Sequence, residues 1–307
     1  MSAASAAPFS RAAADRAAEP GSARLPRWAR KSGPLAPGAR AMRVLLRETS
    51  LNTVCEEARC PNLGECFSRG TATFMLLGDH CTRRCGYCAV GTAKPLPPDP
   101  GEPERVAEAA ARLGLRYVVL TSVNRDDLAD GGAAHFAATI SAVRRALRGV
   151  GIEVLTPDFK GDRGALATVL AAEPTVFNHN IETVPRLFKH LRPQGSYPQS
   201  LDVLAAAREI RPGAPTKSGL MVGLGEEDAE ILTVLRDLRD RGVEIVTIGQ
   251  YLQPTRQHEP VDRYLPPEAF ERLAEEARSL GFPTVYSGVF VRSSFNAFEV
   301  FHSGSAR

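Results

Sequence analysis

From residue 73 onward, short apolar runs alternate with longer segments of helical periodicity. The apolar runs span residues 73–77, 117–122, 152–155, 175–177, 218–222 and 245–248. The helical segments span residues 103–113, 133–148, 164–172, 201–210, 229–241 and 267–280. Strands that alternate with helices predict βαβ units and a parallel sheet, in which right-handed crossovers wind every unit the same way. Such units form a partly closed barrel or an open doubly wound sheet, and the pattern alone does not choose between them.

A polar segment follows each predicted strand. In chain order the segments are CTRRCGYC, TSVNRDD, TPDFKGD, NHNIET, VGLGEED and GQYLQPTRQH. The carboxyl ends of parallel strands share one rim of the sheet, and in βα folds that rim carries the site. Polar side chains from six loops are therefore expected to line one mouth, which favours an enzyme with a large composite pocket.

Charge and hydropathy argue against two classes of partner. The net charge is +3, and the first 31 residues carry six basic and two acidic side chains, which leaves the remainder close to neutral. A nucleic-acid interface requires Lys and Arg clustered within the fold, which these totals do not suggest. No uninterrupted apolar run of about 18 residues is present, so a membrane span is not expected.

Residues 1–40 are rich in Ala, Arg, Pro and Gly and lack the apolar core of a secretory signal. We interpret them as a disordered leader of a cytoplasmic protein. An Arg-rich, acid-poor leader is also typical of an organellar transit peptide, which would place the protein in the mitochondrial matrix. Because the same compositional bias continues through the whole chain, the organellar interpretation is the weaker one.

All six cysteines lie between residues 55 and 88. They form two triads, which are Cys55, Cys60 and Cys66, and then Cys81, Cys85 and Cys88. Such crowding in a long chain points to metal in a reducing compartment rather than to a disulfide framework. Neither triad has the paired C-x₂-C units of a zinc ribbon, although a zinc-stabilised scaffold remains an alternative. Three thiolates can hold three corners of an iron–sulfur cubane and leave the fourth iron open to a small molecule.

The spacing C-x₃-C-x₂-C in CTRRCGYC resembles the signature of the radical S-adenosylmethionine (SAM) superfamily, in which Tyr87 fills the usual aromatic place. With the preceding C-x₄-C-x₅-C triad, the chain resembles the lipoyl synthase family, whereas biotin synthase lacks that leading triad. The resemblance runs in order over residues 25–298. Its blocks are FMLLGDHCTRRCGYCAV, LTSVNRDDLADGGAAHF, TPDFKGD, NHNIETVPRLFKHLRP, GLMVGLGE, GQYLQPTRQHEPVDRY and FVRSSF.

The resemblance implies an α/β fold built as a partial (β/α)₆ TIM-type barrel. Residues 41–72 would form an N-terminal extension that carries the first cysteines, here called the auxiliary triad. Residues 73–285 would form the barrel, with Cys81, Cys85 and Cys88 as the radical triad. Residues 286–307 would close over the barrel mouth and carry the Arg-Ser-Ser motif. Two 4Fe–4S clusters and SAM are the implied cofactors.

The resemblance also implies a reaction. The cluster on the radical triad would cleave SAM reductively to a radical that removes substrate hydrogen. The cluster on the auxiliary triad, with Ser294 as its fourth ligand, would donate sulfur and be consumed. Two sulfur atoms would enter at C6 and C8 of an octanoyl chain that is amide-linked to a lysine of a carrier domain. Phe295 stands where the family usually has tyrosine, which is not expected to remove the serine ligand.

Several residues are expected to bind SAM by the same resemblance. Thr121, Ser122 and Asn124 would lie near its amino group and ribose, although such residues also favour turns and caps. The other candidates are Tyr87, Asn180, Glu182, Arg192 and Lys217. Among these, Arg192 and Lys217 are candidates for the methionine carboxylate.

The implied partners are octanoylated carrier domains, such as E2 subunits of 2-oxoacid dehydrogenases and the H protein of glycine cleavage. An electron donor such as ferredoxin or flavodoxin and an iron–sulfur carrier that rebuilds the spent cluster are also implied. The alternatives that remain open are a radical SAM sulfur-inserting enzyme with a different acceptor and an electron carrier with two clusters. Neither nucleic acid nor a membrane is an expected partner.

Overall fold

The computed structural model describes residues 25–30, 37–58, 60, 62–68 and 73–294. Most of the predicted leader and Phe295 lie outside the described residues. Within them, no helix is long and apolar enough to cross a membrane.

Ten strands and ten α-helices are present among the described residues. The strands are β1 (Asn52–Thr53), β2 (Thr73–Leu76), β3 (His80–Cys81), β4 (Gly91–Thr92), β5 (Tyr117–Ser122), β6 (Gly151–Leu155), β7 (Val176–Asn178), β8 (Thr216–Val222), β9 (Ile245–Gln250) and β10 (Thr284–Gly288). The helices are α1 (Pro37–Glu48), α2 (Val54–Glu57), α3 (Leu63–Ser68), α4 (Glu102–Arg112), α5 (Ala133–Ala146), α6 (Arg163–Ala171), α7 (Pro185–Leu191), α8 (Tyr197–Ile210), α9 (Asp228–Asp240) and α10 (Pro267–Ser279).

Seven strands form a parallel sheet in strict chain order, from β2 through β5, β6, β7, β8 and β9 to β10. A doubly wound sheet reverses its strand order at a switch point, and this order never reverses. Successive right-handed crossovers in one direction place the connecting helices on one face. The barrel-like alternative is therefore confirmed. The sheet is open, and β1 and β10 are its outermost strands among the described residues.

The six predicted strands are all present, and the structure adds a seventh. Strand β10 pairs with β9 over its full length and spans the predicted boundary between residues 285 and 286. Its side chains are all only half-buried. The sequence TVYSG therefore lacks the apolar run by which the other strands are recognised.

Helix ends follow the side chains that cap them. The Asp162 carboxylate accepts hydrogen bonds from the backbone N–H groups of Gly164 and Ala165 at the start of α6. Glu227 and Glu230 form a reciprocal capping box at the start of α9. Such caps satisfy N–H groups that have no partner inside the helix and contribute about 1 kcal/mol each.

The core lies between the sheet and its helices. The sheet contributes Phe74 of β2 and Phe177 of β7 to the core, and the helices contribute Phe136 of α5 and Phe270 of α10. All four side chains are almost fully buried. Burial of each such side chain contributes roughly 1.5–3 kcal/mol. The helix faces that pack against the sheet are therefore apolar. The polar loops lie at the carboxyl edge of the sheet.

The N-terminal extension is joined to the edge of the sheet. Strand β1 pairs antiparallel with β2, through Asn52 opposite Met75 and Thr53 opposite Phe74. The Thr53 hydroxyl then accepts a hydrogen bond from the Glu56 N–H and begins α2. This short ladder fixes the segment that carries Cys55 beside the first strand of the barrel.

Candidate active site

The radical triad lies on a loop that three neighbouring segments hold in place. The N–H and hydroxyl of Thr82 both donate to the carbonyl of Asn124, at 3.0 and 2.9 Å. The Gly86 N–H donates to the carbonyl of Leu191 at 2.8 Å, and the Glu259 N–H donates to the Gly86 carbonyl at 2.9 Å. The loop is therefore fixed on both sides of Cys85.

Hydrogen-bond donors surround the sulfur atoms of the radical triad. Cys81 Sγ lies 3.4 Å from the Arg83 N–H and 3.3 Å from the Asn124 N–H. The Tyr87 hydroxyl donates to Cys85. Burial, followed by the neighbouring Cys85 and Cys81, raises the pKa of the Cys88 thiol to about 12. N–H···S bonds of this kind stabilise thiolates once a cluster is bound and adjust its potential.

Arg83 clamps this loop to two further loops of the rim. Its guanidinium forms paired contacts with Asp126 after β5, at 2.7 and 2.9 Å, and with Asp158 after β6, at 2.7 Å for both. Burial alone would raise the pKa of Asp158, but the Arg83 guanidinium holds that pKa down to about 2. Sequence analysis did not identify this clamp, because nothing in the sequence pairs Arg83 with either carboxylate.

The auxiliary triad is assembled by α2, α3 and the turn between them. Cys55 is buried in α2, and burial, followed by the neighbouring Cys60 and Cys66, raises the pKa of its thiol to about 12. The Thr73 N–H donates to the Cys55 sulfur. The Cys60 N–H donates to the Cys55 carbonyl at 3.0 Å. The three cysteines are therefore neighbours beside the start of β2.

The segment after β10 crosses to the auxiliary triad. Asn62 Nδ2 donates to the carbonyl of Phe290 at 2.6 Å, and Arg292 lies beside Cys60. The carbonyl of Val291 occupies the space that a side chain at Gly249 of β9 would fill. The N-terminal extension, the segment after β10 and strand β9 thus meet at this site.

Polar side chains after β7 connect this segment to the radical triad. Asn180 Nδ2 donates to Ser293 Oγ at 3.2 Å and to Glu182 Oε1 at 3.1 Å. Glu182 has a φ of +70°, a conformation that costs a non-glycine residue about 1–3 kcal/mol and that clusters at functional sites. Burial raises the pKa of Glu182, and Arg192 and Asn180 oppose that shift. Glu182 is in turn close enough to Cys85 and Cys88 to raise the pKa of both thiols.

Comparison with known proteins assigns this arrangement to a family. The model of the radical SAM superfamily matches residues 75–238. The lipoyl synthase of Methylococcus capsulatus is 57% identical over 281 residues, which cover 91% of this chain and 87% of that protein. The lipoyl synthase of Rubrobacter xylanophilus is 56% identical over 274 residues, which cover 89% and 85%.

The chain belongs to the lipoyl synthase family. It is accordingly a radical SAM enzyme, and this family uses a 4Fe–4S cluster and SAM. Two solved structures share the fold at low identity. Methylornithine synthase has a TM-score of 0.51 at 15% identity, covering 84% of this chain and 86% of that one. HydG, a maturase of the FeFe-hydrogenase, has a TM-score of 0.53 at 12% identity, covering 75% and 62%.

Buried polar atoms at the rim of the sheet fit a polar ligand such as SAM. Within the described residues, several buried atoms at the strand ends and just after α7 have no hydrogen-bond partner. They include Ser122 Oγ, His179 Nε2, Asn180 Oδ1, Arg192 Nε and Ser287 Oγ. An unsatisfied buried polar group costs about 1–3 kcal/mol, so a ligand that satisfies several of them is bound favourably.

The other residues that are predicted to bind SAM differ in whether their side chains already have partners within the protein. Tyr87 lies near Cys85 and is half-buried. Arg192 Cζ lies 5.1 Å from the centre of the Phe188 ring. The Thr121 hydroxyl donates to the Leu155 carbonyl at 2.8 Å, a contact that ties β5 to β6. Asn124 contributes its backbone to the cysteine loop.

Lys217 is a predicted contact of the methionine carboxylate, but its ammonium already has another partner. Its ammonium is fully buried and lies 2.9 and 3.1 Å from the two carboxylate oxygens of Glu153. Asn178 and Tyr117 donate to the same carboxylate. A buried ammonium that is already paired has little capacity for a second anion, so the described contacts favour Arg192 for the methionine carboxylate.

Within the described residues, no three His, Cys, Asp or Glu side chains converge closely enough to bind one metal ion. Thiolates on a cubane bind separate irons, whereas zinc draws four ligands to one centre.

His179 gives a pH-dependent prediction. Burial, followed by the nearby Arg192, lowers the pKa of His179 from 6.5 to about 4. Between these values the unfolded chain binds a proton that the folded chain does not, so His179 lowers the stability as the pH falls through this range. When the pH is lowered from about 7.5 to about 5, the free energy of unfolding of the His179→Gln variant should therefore fall by about 2 kcal/mol less than that of the wild type.

Urea unfolding of the cluster-free protein at the two pH values measures this difference. Equal pH dependence of the His179→Gln variant and the wild type would contradict the assignment of a neutral buried imidazole.

Proposed function

We propose that this chain inserts two sulfur atoms at C6 and C8 of an octanoyl chain that is amide-linked to a lysine of a lipoyl carrier domain. The acceptors would be E2 subunits of 2-oxoacid dehydrogenases and the glycine cleavage H protein. Membership of the lipoyl synthase family supports an octanoylated carrier as substrate. A ferredoxin or flavodoxin as reductant and an iron–sulfur carrier for cluster repair complete the proposal.

The radical triad would hold the SAM-binding cluster. When bound, this cluster and SAM supply the radical that removes hydrogen from an unactivated C–H bond, which acid–base chemistry does not reach. The residues around the triad would bind and orient SAM. Arg192 would face the methionine carboxylate, while Ser122, Asn180 and Glu182 would offer polar contacts to the amino group and ribose. Tyr87 would fix Cys85 through the hydrogen bond from its hydroxyl.

The auxiliary triad would hold a second 4Fe–4S cluster, which is the sulfur-donating substrate of the reaction. Ser294 would be its fourth ligand, because Ser293 Oγ already accepts a hydrogen bond from Asn180 Nδ2. A serine oxygen binds iron more weakly than a thiolate, which suits an iron that is released. Burial around Cys55 would keep water from the cluster until substrate enters.

One observation carries the proposal. Asn180 forms hydrogen bonds to both Ser293 and Glu182, between the two triads. Arg292, next to Ser293, is close enough to Cys60 for that thiol to oppose the lowering of the Arg292 pKa by burial, and Glu182 is close enough to Cys85 to raise the pKa of that thiol. An octanoyl chain that enters at Asn180 would therefore meet the radical source on one side and the sulfur source on the other. An electron carrier with two clusters has no need of a ligand-sized polar rim between them.

The proposed location is the cytoplasm. The relatives compared here are bacterial proteins, and they give no support to the mitochondrial alternative.

The test is anaerobic incubation of the reconstituted enzyme with SAM, a reductant and an octanoylated carrier peptide. Mass spectrometry should show a peptide in which two hydrogens are replaced by two sulfurs, and iron analysis should show loss of one cluster per product. SAM cleavage without sulfur in the peptide would overturn the acceptor. Sulfur insertion with both clusters intact would overturn the sulfur source.

A further inference from the structure

Three basic side chains are exposed around the loop of the radical triad. Arg84 lies within that loop, Lys189 lies in the last turn of α7, and Arg256 lies in the segment after β9. The ion pairs in the α7 region are made by other side chains, which are Arg186 with Glu230 and His190 with Glu259. Arg84, Lys189 and Arg256 are here called the basic face.

Backbone contacts join the three segments that carry the basic face. The Arg84 N–H donates to Gln194 Oε1 at 3.2 Å, just beyond α7. Gly86, two residues further on, accepts from the Glu259 N–H and donates to the Leu191 carbonyl. The three segments are therefore adjacent, and the loop with Cys85 and Cys88 is one of them.

The charge of this surface is positive. The carboxylate of Glu259 adjoins the basic face, and its Oε2 lies 2.9 Å from His190 Nε2. One partly covered carboxylate does not balance three exposed cations. A surface with such an excess attracts proteins of opposite charge and accelerates their encounter, most strongly at low ionic strength.

We propose that the basic face docks an acidic protein that carries single electrons and reduces the cluster on the radical triad. This inference rests on the proposed function, since that function requires a reductant for each SAM cleavage. In the transfer, the anionic flavin hydroquinone of a flavodoxin loses one electron and becomes the neutral semiquinone. The cluster gains that electron, so no proton has to cross the interface.

The contacts favour an electron donor over the carrier domain as the occupant. An octanoyl chain must reach both triads, whereas an electron needs to reach only the radical triad. The basic face contacts the radical loop, while the auxiliary triad meets different segments, through Asn62, Phe290 and Arg292. Transient electron-transfer complexes also use small interfaces in which complementary charge sets the rate of association, as a face of three cations allows.

The test compares two reductants on a charge-reversed enzyme. The Lys189→Glu/Arg256→Glu variant leaves the cysteine loop unchanged. With reduced flavodoxin at low ionic strength, its rate of SAM cleavage should be about tenfold or more below that of the wild type, and its salt dependence should be weaker. With dithionite, which needs no docking face, its rates of SAM cleavage and sulfur insertion should equal those of the wild type.

The Arg148→Glu/Arg236→Glu variant is the matched control, because it makes the same change of charge at exposed positions beyond α5 and on α9. Equal flavodoxin-supported rates in the two variants would overturn the proposal. So would a loss of SAM cleavage with dithionite, since the face would then serve the chemistry itself. If the dithionite-driven reaction fails only with a whole carrier domain and not with a short octanoyl peptide, the face belongs to the carrier domain. Failure of the wild type to insert sulfur with dithionite would instead count against the proposed function.

Discussion

The Cys60→Ala variant is expected to lose sulfur insertion to background while it retains at least part of its SAM cleavage. Cys60 is the best position for this test, because it is only half-buried and its replacement leaves no large cavity. Its neighbours are Cys55 and Arg292, and the radical triad takes its hydrogen bonds from a separate loop. The measurements are 5′-deoxyadenosine release and the mass of the octanoyl peptide, taken from the same reaction.

The matched partner of this variant is Cys85→Ala, which should abolish both activities. Iron content separates the two further, since each variant should keep the cluster of the intact triad. If the Cys60→Ala variant lost SAM cleavage and sulfur insertion to the same degree, separate roles for the two triads would be wrong.

The Gly249→Ala variant should uncouple the two activities without touching a cysteine. Gly249 lies in β9, where a strand conformation tolerates alanine, but a Cβ there would overlap the carbonyl of Val291. The segment with Ser293 and Ser294 must then move away from the barrel, at a cost of about 1–3 kcal/mol. We expect sulfur insertion to fall by about 5- to 150-fold, which is that free energy expressed as a ratio. SAM cleavage should change much less, because the atoms nearest to the added Cβ belong to Val291 and Arg292.

The control is Gly213→Ala, since a Cβ at Gly213 meets no atom within 4 Å. Hydrogen exchange of residues 289–294 should rise in the Gly249→Ala variant only. An unchanged rate of sulfur insertion, together with increased exchange, would show that the placement of this segment is not required for the reaction.

The sequence could predict most of the barrel, because its strands are apolar and its site loops follow them. Strand β10 could not be recognised, since TVYSG is half-buried and lacks the apolar run of a central strand. The start of β8 at Thr216 was also missed, because Lys217 interrupts the apolar pattern. A lysine in a strand is buried only when another element supplies its counter-charge, and Glu153 lies 64 residues away in the chain.

The cysteines could be assigned from spacing, whereas the residues that position them could not. Asp126 pairs with Arg83, and Asp158 completes the clamp from a third loop. His179 Nδ1 lies 2.9 Å from the Thr156 carbonyl. Its unpaired Nε2 could be recognised only once the surrounding loops were in place. Long-range pairing of this kind depends on topology, which local sequence does not encode.

The hydrogen bond between Asn62 and Phe290 spans 228 positions of the chain. After the auxiliary cysteines have left the ribosome, the entire barrel still has to be synthesised before Phe290 becomes available. The proposed sulfur-donating centre should therefore be the last part of the described fold to form, and chains that stop before Phe290 should load metal on the radical loop alone. Such fragments would cleave SAM without making the proposed product.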